Sequence, residues 1–147
     1  AYERTIIGGN TAWDRWRAGD NTAISQSAWR GWNIFQGIKC NNCHDGVLFT
    51  DQQYHNVGIG MDAKEPDPGR FKVTNKPEDT GAFKTPTLRD IANSAPYFHD
   101  GSAKTLEEAV DIMARYQLGR QLDDTETVRI VQFLKTLTGE YRGEVLK

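Results

Sequence analysis

The apolar positions of this chain form helical stripes toward both ends and lose their period in the middle. After Ser25, the residues Trp29, Trp32 and Phe35 recur at i, i+3 and i+6, and the run stops near Gly37. This spacing predicts a helix capped by Ser25 with its aromatic side chains on one face. Within it, Gly31 and Phe35 place a small residue one turn before an aromatic one. That pattern suits a close crossing with a second helix. Further on, Leu106, Ala109, Val110 and Met113 line one helical face. Thr105 and Glu108 have the spacing of a capping box ahead of that stripe, and Gly119 marks its stop. Asp123 and Glu126 repeat the start signal, Ile130, Phe133, Leu134 and Leu137 form the next stripe, and Gly139 follows its last turn.

The middle of the chain reads differently. Pro66, Pro68, Gly69, Pro77, Gly81, Pro86 and Pro96 interrupt any long helix. The run from Lys64 to Gly69 reads as an exposed turn whose charges are solvated. So long an irregular segment is unusual in a compact domain unless it wraps something. The pattern therefore predicts one domain in four stretches: an N-terminal extension over 1–24, a helix and its end over 25–44, an irregular region over 45–104, and C-terminal helices over 105–147. At 147 residues, one domain is also what length allows.

Only 37% of the residues are hydrophobic, which is thin for a core of this size. A bulky apolar group bound inside would make up the shortfall. The net charge of −2, with both signs interspersed, leaves no basic stripe for nucleic acid. No apolar run is long enough to span a membrane.

The chemistry lies at the end of the first predicted helix, in Cys40-Asn41-Asn42-Cys43-His44. Two thiols three positions apart, followed at once by histidine, form the attachment site of a c-type haem. Each thiol adds to one vinyl group, and the histidine reaches the iron from one face. The alternatives are a redox Cys-x-x-Cys and half of a zinc site. The first calls for a preceding strand, whereas helical sequence precedes this motif. The second calls for a further pair of ligands, whereas His55 and His99 stand alone in sequence. The chain has no other cysteine. One covalent haem c is thus the expected cofactor. Such attachment normally happens outside the bacterial cytoplasm, so the expected location is periplasmic, the chain beginning at Ala1 as a trimmed product. The ligand on the iron's other face is open among Met61, Met113, His55 and His99. An apolar helix face that meets a haem can turn the Met113 thioether to the iron, whereas Met61 sits in a short glycine-rich loop.

Several segments together resemble a known family. They are Tyr2-Glu3-Arg4-Thr5, Trp13-Asp14-Arg15-Trp16, Phe83-Lys84-Thr85-Pro86-Thr87-Leu88-Arg89, Ala95-Pro96-Tyr97-Phe98-His99-Asp100-Gly101, Leu106-Glu107-Glu108-Ala109-Val110, Gln117-Leu118-Gly119 and Phe133-Leu134-Lys135-Thr136-Leu137-Thr138-Gly139. They are similar to the C-terminal haem domain of the bacterial di-haem cytochrome c peroxidases and the related MauG group. The resemblance implies an all-α, class I cytochrome c-like fold with long haem-wrapping loops. It implies that Cys40, Cys43 and His44 carry an electron-transfer haem. It places Met113 at the position of the axial methionine of the peroxidases, where the MauG branch has tyrosine. It implies haem propionate contacts from Arg89 and His99, and a calcium ion held by backbone oxygens of Ser94 and Pro96. The implied partners are a small electron donor, a cytochrome c or cupredoxin, a peroxidatic haem domain, and a second copy of the chain.

The family carries two haem domains and this chain has one Cys-x-x-Cys-His motif. An electron-transfer domain of a di-haem peroxidase is therefore the leading expectation, with the chain a fragment of a larger protein. A stand-alone mono-haem electron carrier is the alternative, followed by a single-haem enzyme or ligand sensor. Thioether attachment makes one outcome testable at once. Haem should stay with the chain through denaturation and acid–acetone extraction, and the double variant Cys40→Ala/Cys43→Ala should form no stable holoprotein. Release of the haem from the native chain under those conditions would remove the basis of this reading.

Overall fold

In a computed structural model, which describes residues 9–60, 64–141 and 143–145, five helices carry the fold. They are α1 (Ala12–Arg17), α2 (Gln26–Gly37), α3 (Phe71–Thr74), α4 (Leu106–Leu118) and α5 (Asp124–Lys135). Two antiparallel pairs of two-residue strands accompany them, β1 (Tyr54–His55) with β2 (Phe83–Lys84) and β3 (Glu140–Tyr141) with β4 (Glu144–Val145). The expected helical class holds, with these small ladders added. The segment from Tyr2 to Thr5 and the residue Met61 lie outside the described residues.

Local signals set most helix ends. The Ser25 hydroxyl accepts from the Ala28 N–H and starts α2. Thr105 with Glu108, and Asp123 with Glu126, form reciprocal capping boxes on α4 and α5. Gly119 adopts a left-handed conformation, φ 58°, where α4 ends. Helix α1 falls in the stretch read as an extension. Its signal is present in the sequence, since Thr11 and Asp14 make the same capping box. It is short, and its Trp13 backbone N–H donates to the Thr136 carbonyl at 3.1 Å, beyond the end of α5. Tertiary contact completes what six residues alone would not hold.

The core forms where α2 crosses α5. At Gly31 the two backbones approach so closely that an added Cβ would lie 1.9 Å from the Arg129 carbonyl oxygen. Phe133, fully buried, packs its ring against Trp13, Trp32, Phe35 and Phe49, with centroids 5.1 to 5.9 Å apart. Ile130, Val131, Leu134 and Leu137 are buried beside it. Each such side chain contributes about 2 kcal/mol through burial. The aromatic face predicted for α2 is shifted, however. Ala28, Gly31 and Phe35 are buried and Trp32 packs against the core, while Trp29 is 44% exposed. The close approach at Gly31 rotates the contact stripe onto the small residues and turns Trp29 toward its edge.

Gly31→Ala forces a methyl group into backbone, which cannot yield as a side-chain tip can. We expect a loss of about 3 kcal/mol, read as a Tm lower by roughly 10 °C in thermal unfolding. A Tm within a degree or two of the native value would show that the crossing is looser than described.

Candidate functional site: a haem attachment centre

The attachment motif sits where α2 runs out. Ile38 closes the helix, Lys39 turns left-handed at φ 70°, and Cys40–Asn42 form a single 3-10 turn. The His44 N–H returns to the Cys40 carbonyl at 3.0 Å. This turn sets both thiols and the imidazole at the end of the helix that the Gly31 crossing fixes. Both cysteines are half-buried and unbridged. Burial pushes the Cys40 thiol up to about 11, and burial with the charge of Asp51 raises Cys43 too. Neither is a thiolate at neutral pH, so a reactive dithiol pair is disfavoured.

His44 is oriented by backbone carbonyls. Its Nδ1 lies 3.1 Å from the Phe49 carbonyl oxygen, to which it donates as Nδ1–H, and the Pro86 carbonyl is a second backbone acceptor for the ring. Burial lowers its proton affinity more than the Phe49 and Pro86 carbonyls and the Asp51 charge raise it, so the ring is neutral. Directly after the motif, Val47 is 79% exposed and Leu48 50%. Met113 is half-buried on α4 and stands apart from the cluster of apolar side chains that Leu106, Ala109, Val110 and Ile112 of the same helix join. Two thiols, a neutral imidazole, a thioether outside the core and uncovered aliphatic surface are the donor set and surroundings that suit a covalent haem c.

The other expected site residues have partners of their own. Arg89, which the resemblance implies at a propionate, is bonded within the chain. Its Nη1 and Nη2 donate to the two Asp14 carboxylate oxygens at 2.8 Å each, Nη1 also donates to the Thr11 hydroxyl, and Nε donates to the Val47 carbonyl. Four of its five N–H groups are thus used, and only 11% of the side chain is exposed. The geometry makes Arg89 a clamp between α1 and the loop after the haem motif, a role its charge alone did not reveal. His99 is exposed and stacks on Phe83 with ring centroids 4.0 Å apart. Ser94 and Pro96 are exposed, and the Ser94 hydroxyl donates to the Ile91 carbonyl.

His55 does not stand alone, as its isolation in sequence suggested. Its Nε2 is 2.7 Å from an Asp51 carboxylate oxygen, and ligand atoms of Cys43, Asp51 and His55 all fall within 4.8 Å of one another. The strand pairing of Tyr54 and His55 with Phe83 and Lys84 helps fix His55 there, and only the fold supplies it. With Cys43 as a thioether, its sulfur would be no anionic ligand and the trio would reduce to an acid–imidazole pair.

Fold and site together define a c-type haem domain. No family model matches the chain. It is 42% identical over 141 residues to the cytochrome c551 peroxidase of Nitrosomonas europaea, across 95% of this chain and 42% of that protein. It is 34% identical over 152 residues to the methylamine utilization protein MauG of Methylorubrum extorquens, across 95% of this chain and 42% of that one. Its structure superposes with a TM-score of 0.79 and 29% identity on a MauG-like protein associated with microbial copper homeostasis, across 88% of this chain and 48% of that one. The chain belongs to the family of di-haem cytochrome c peroxidases and MauG proteins, and spans less than half the length of these relatives. Among the described residues, no helix is long and apolar enough to cross a membrane.

The Arg89–Asp14 clamp predicts an acid dependence. Burial alone would raise the Asp14 carboxyl, but hydrogen bonds from Arg89 and Thr11 and the Arg89 charge outweigh it and hold the group below its ordinary 3.8. A depressed folded value means that the stabilisation is complete above the ordinary value and is lost as pH falls through the folded one. Asp14 is 36% exposed, so screening limits the effect to about 1 kcal/mol. In urea unfolding, the stability gap between native protein and Asp14→Asn should be constant from about pH 7 to pH 5 and close below about pH 4. A gap that widens on acidification would refute the assignment.

Proposed function

We propose that this chain is the electron-transfer haem domain of a di-haem cytochrome c peroxidase. In this reading it accepts electrons from a small redox protein, a cytochrome c or a cupredoxin, and relays them to a peroxidatic haem in a part of the protein that the chain does not span. The observation that carries the reading is the single attachment motif with a neutral, oriented His44, in a chain whose similarity to such peroxidases covers 95% of its length.

When bound, a c-type haem supplies one-electron exchange between ferrous and ferric iron. Cys40 and Cys43 would hold it through thioethers, with the His44 imidazole and the Met113 thioether as the iron ligands. His/Met ligation favours the reduced state and suits electron transfer without ligand exchange. Leu106, Ala109 and Val110 of α4 offer no group that can hold or move a proton, and reduction of peroxide needs acid–base groups beside the iron. The carbonyl oxygens of Ser94 and Pro96 would serve a calcium ion completed by ligands from outside this chain. The protein is exported and works in the periplasm, where c-type haem attachment takes place.

Two measurements test this. The ferric holoprotein should be low-spin with a sulfur-to-iron charge-transfer band that Met113→Ala abolishes and Met61→Ala spares. Met113→Ala should also lower the reduction potential, and the reverse pattern would transfer the ligand to Met61. In steady-state oxidation of a reduced donor, the chain alone should exchange electrons quickly yet turn over hydrogen peroxide hardly at all, whereas the two-domain protein should turn it over. Comparable turnover by the chain alone would promote the single-haem enzyme.

A further inference from the structure

Three successive carbonyls follow the haem motif, and each is held by a different side chain. The Val47 oxygen accepts from Arg89 Nε at 2.8 Å, the Leu48 oxygen from the Thr87 hydroxyl at 2.5 Å, and the Phe49 oxygen from His44 Nδ1 at 3.1 Å. The next residue joins the same strip in the other direction, since the Thr50 hydroxyl donates to the Thr85 carbonyl at 2.7 Å. Residues 85–89 therefore run alongside 47–50 and fasten them by side chains instead of a strand ladder. The Phe49 backbone is left-handed at φ 52°, a conformation that costs a non-glycine residue of order 1 kcal/mol and needs its surroundings to hold it. Its ring is buried between Trp13, Trp32 and Phe133, and the Arg89 guanidinium lies 5.5 Å over it. Arg89 is itself anchored by Asp14 on α1.

We propose that Thr87 and Arg89 are positioning residues for the axial histidine: by fixing the loop over 47–49 they aim the Phe49 carbonyl at His44 Nδ1 and so set the basicity of the iron ligand. An imidazole that donates Nδ1–H to a well-placed carbonyl is more electron-rich at Nε2 and favours ferric iron. Loosening the strip weakens that donation and shifts the iron toward the ferrous state. The pair acts through His44 and touches neither the iron nor a substrate. This inference rests on the haem-domain reading above.

The test uses covalently loaded holoprotein. Thr87→Val replaces the hydroxyl by a methyl and loses its bonds to the Leu48 carbonyl and from the Arg89 N–H, and Arg89→Lys keeps a cation beside Asp14 while losing the Nε bond to Val47. The reduction potential of each is compared with native protein and with Arg120→Gln, which alters an exposed ion pair to Glu126 remote in sequence from the loop. Both variants should favour the ferrous form by roughly tenfold, an upward shift of about 59 mV for one electron, while Arg120→Gln stays at the native value. The His44 ring N–H signal in NMR should exchange faster with solvent in both. A lowered Tm with an unchanged potential and unchanged exchange would reduce Thr87 and Arg89 to structural ties and overturn the proposal. So would a downward shift. If Arg89→Lys fails to mature, Thr87→Val decides alone. A native chain that takes up no covalent haem would sink the haem reading, whereas loaded native protein with unshifted variants would sink only this one.

Discussion

Everything at the site depends on the crossing of α2 and α5 at Gly31. With only 37% of its residues hydrophobic, the chain gains a dense core by bringing two backbones together where a side chain would intervene. That approach lets Phe133 reach four aromatic partners at once. It also fixes the direction in which α2 ends. The haem motif begins three residues after the last residue of α2, so an error in the crossing would be carried into the positions of Cys40, Cys43 and His44.

A second layer of constraint comes from the loops. A buried loop must satisfy its own backbone polar groups, and here side chains do much of that. Asp14 shows how many tasks one carboxylate can perform. It accepts from the Thr11 N–H as part of a helix cap and from both ends of the Arg89 guanidinium. Arg89 then reaches the Val47 carbonyl. Through these contacts the N-terminal helix, the loop after the haem motif and the segment before α4 become one body.

The division of labour along the chain follows from this. The Cys-x-x-Cys-His motif lies just past one end of α2, and Met113 lies on a separate element, α4. The irregular region between them is ordered by hydrogen bonds from threonine, aspartate and arginine side chains more than by strand ladders. The same local chemistry serves a domain of a larger peroxidase or a free electron carrier. What separates these is the remainder of the relatives' length, more than half of each.

Local and periodic information was legible in the residues themselves. The caps at Ser25, Thr105 and Asp123, the stop at Gly119 and the stripe from Ile130 to Leu137 depend on neighbours within a turn or two, and so does the haem motif. Gly31 signalled a close crossing for the same reason, since only a residue without a side chain leaves that space. What only the tertiary structure decided involves partners far apart in sequence. Trp29 proved an edge residue because the depth of the crossing, not the helical period, chooses the buried stripe. Asp14 and Arg89 lie 75 positions apart, so the clamp they form could not be read from either residue alone. Asp51 and His55 joined Cys43 because the motif's loop folds back, the Asp51 N–H donating to the Cys43 carbonyl at 2.7 Å. Sequence encodes such pairings only through the whole packed chain, which is why the attachment site could be read directly and its supporting shell could not.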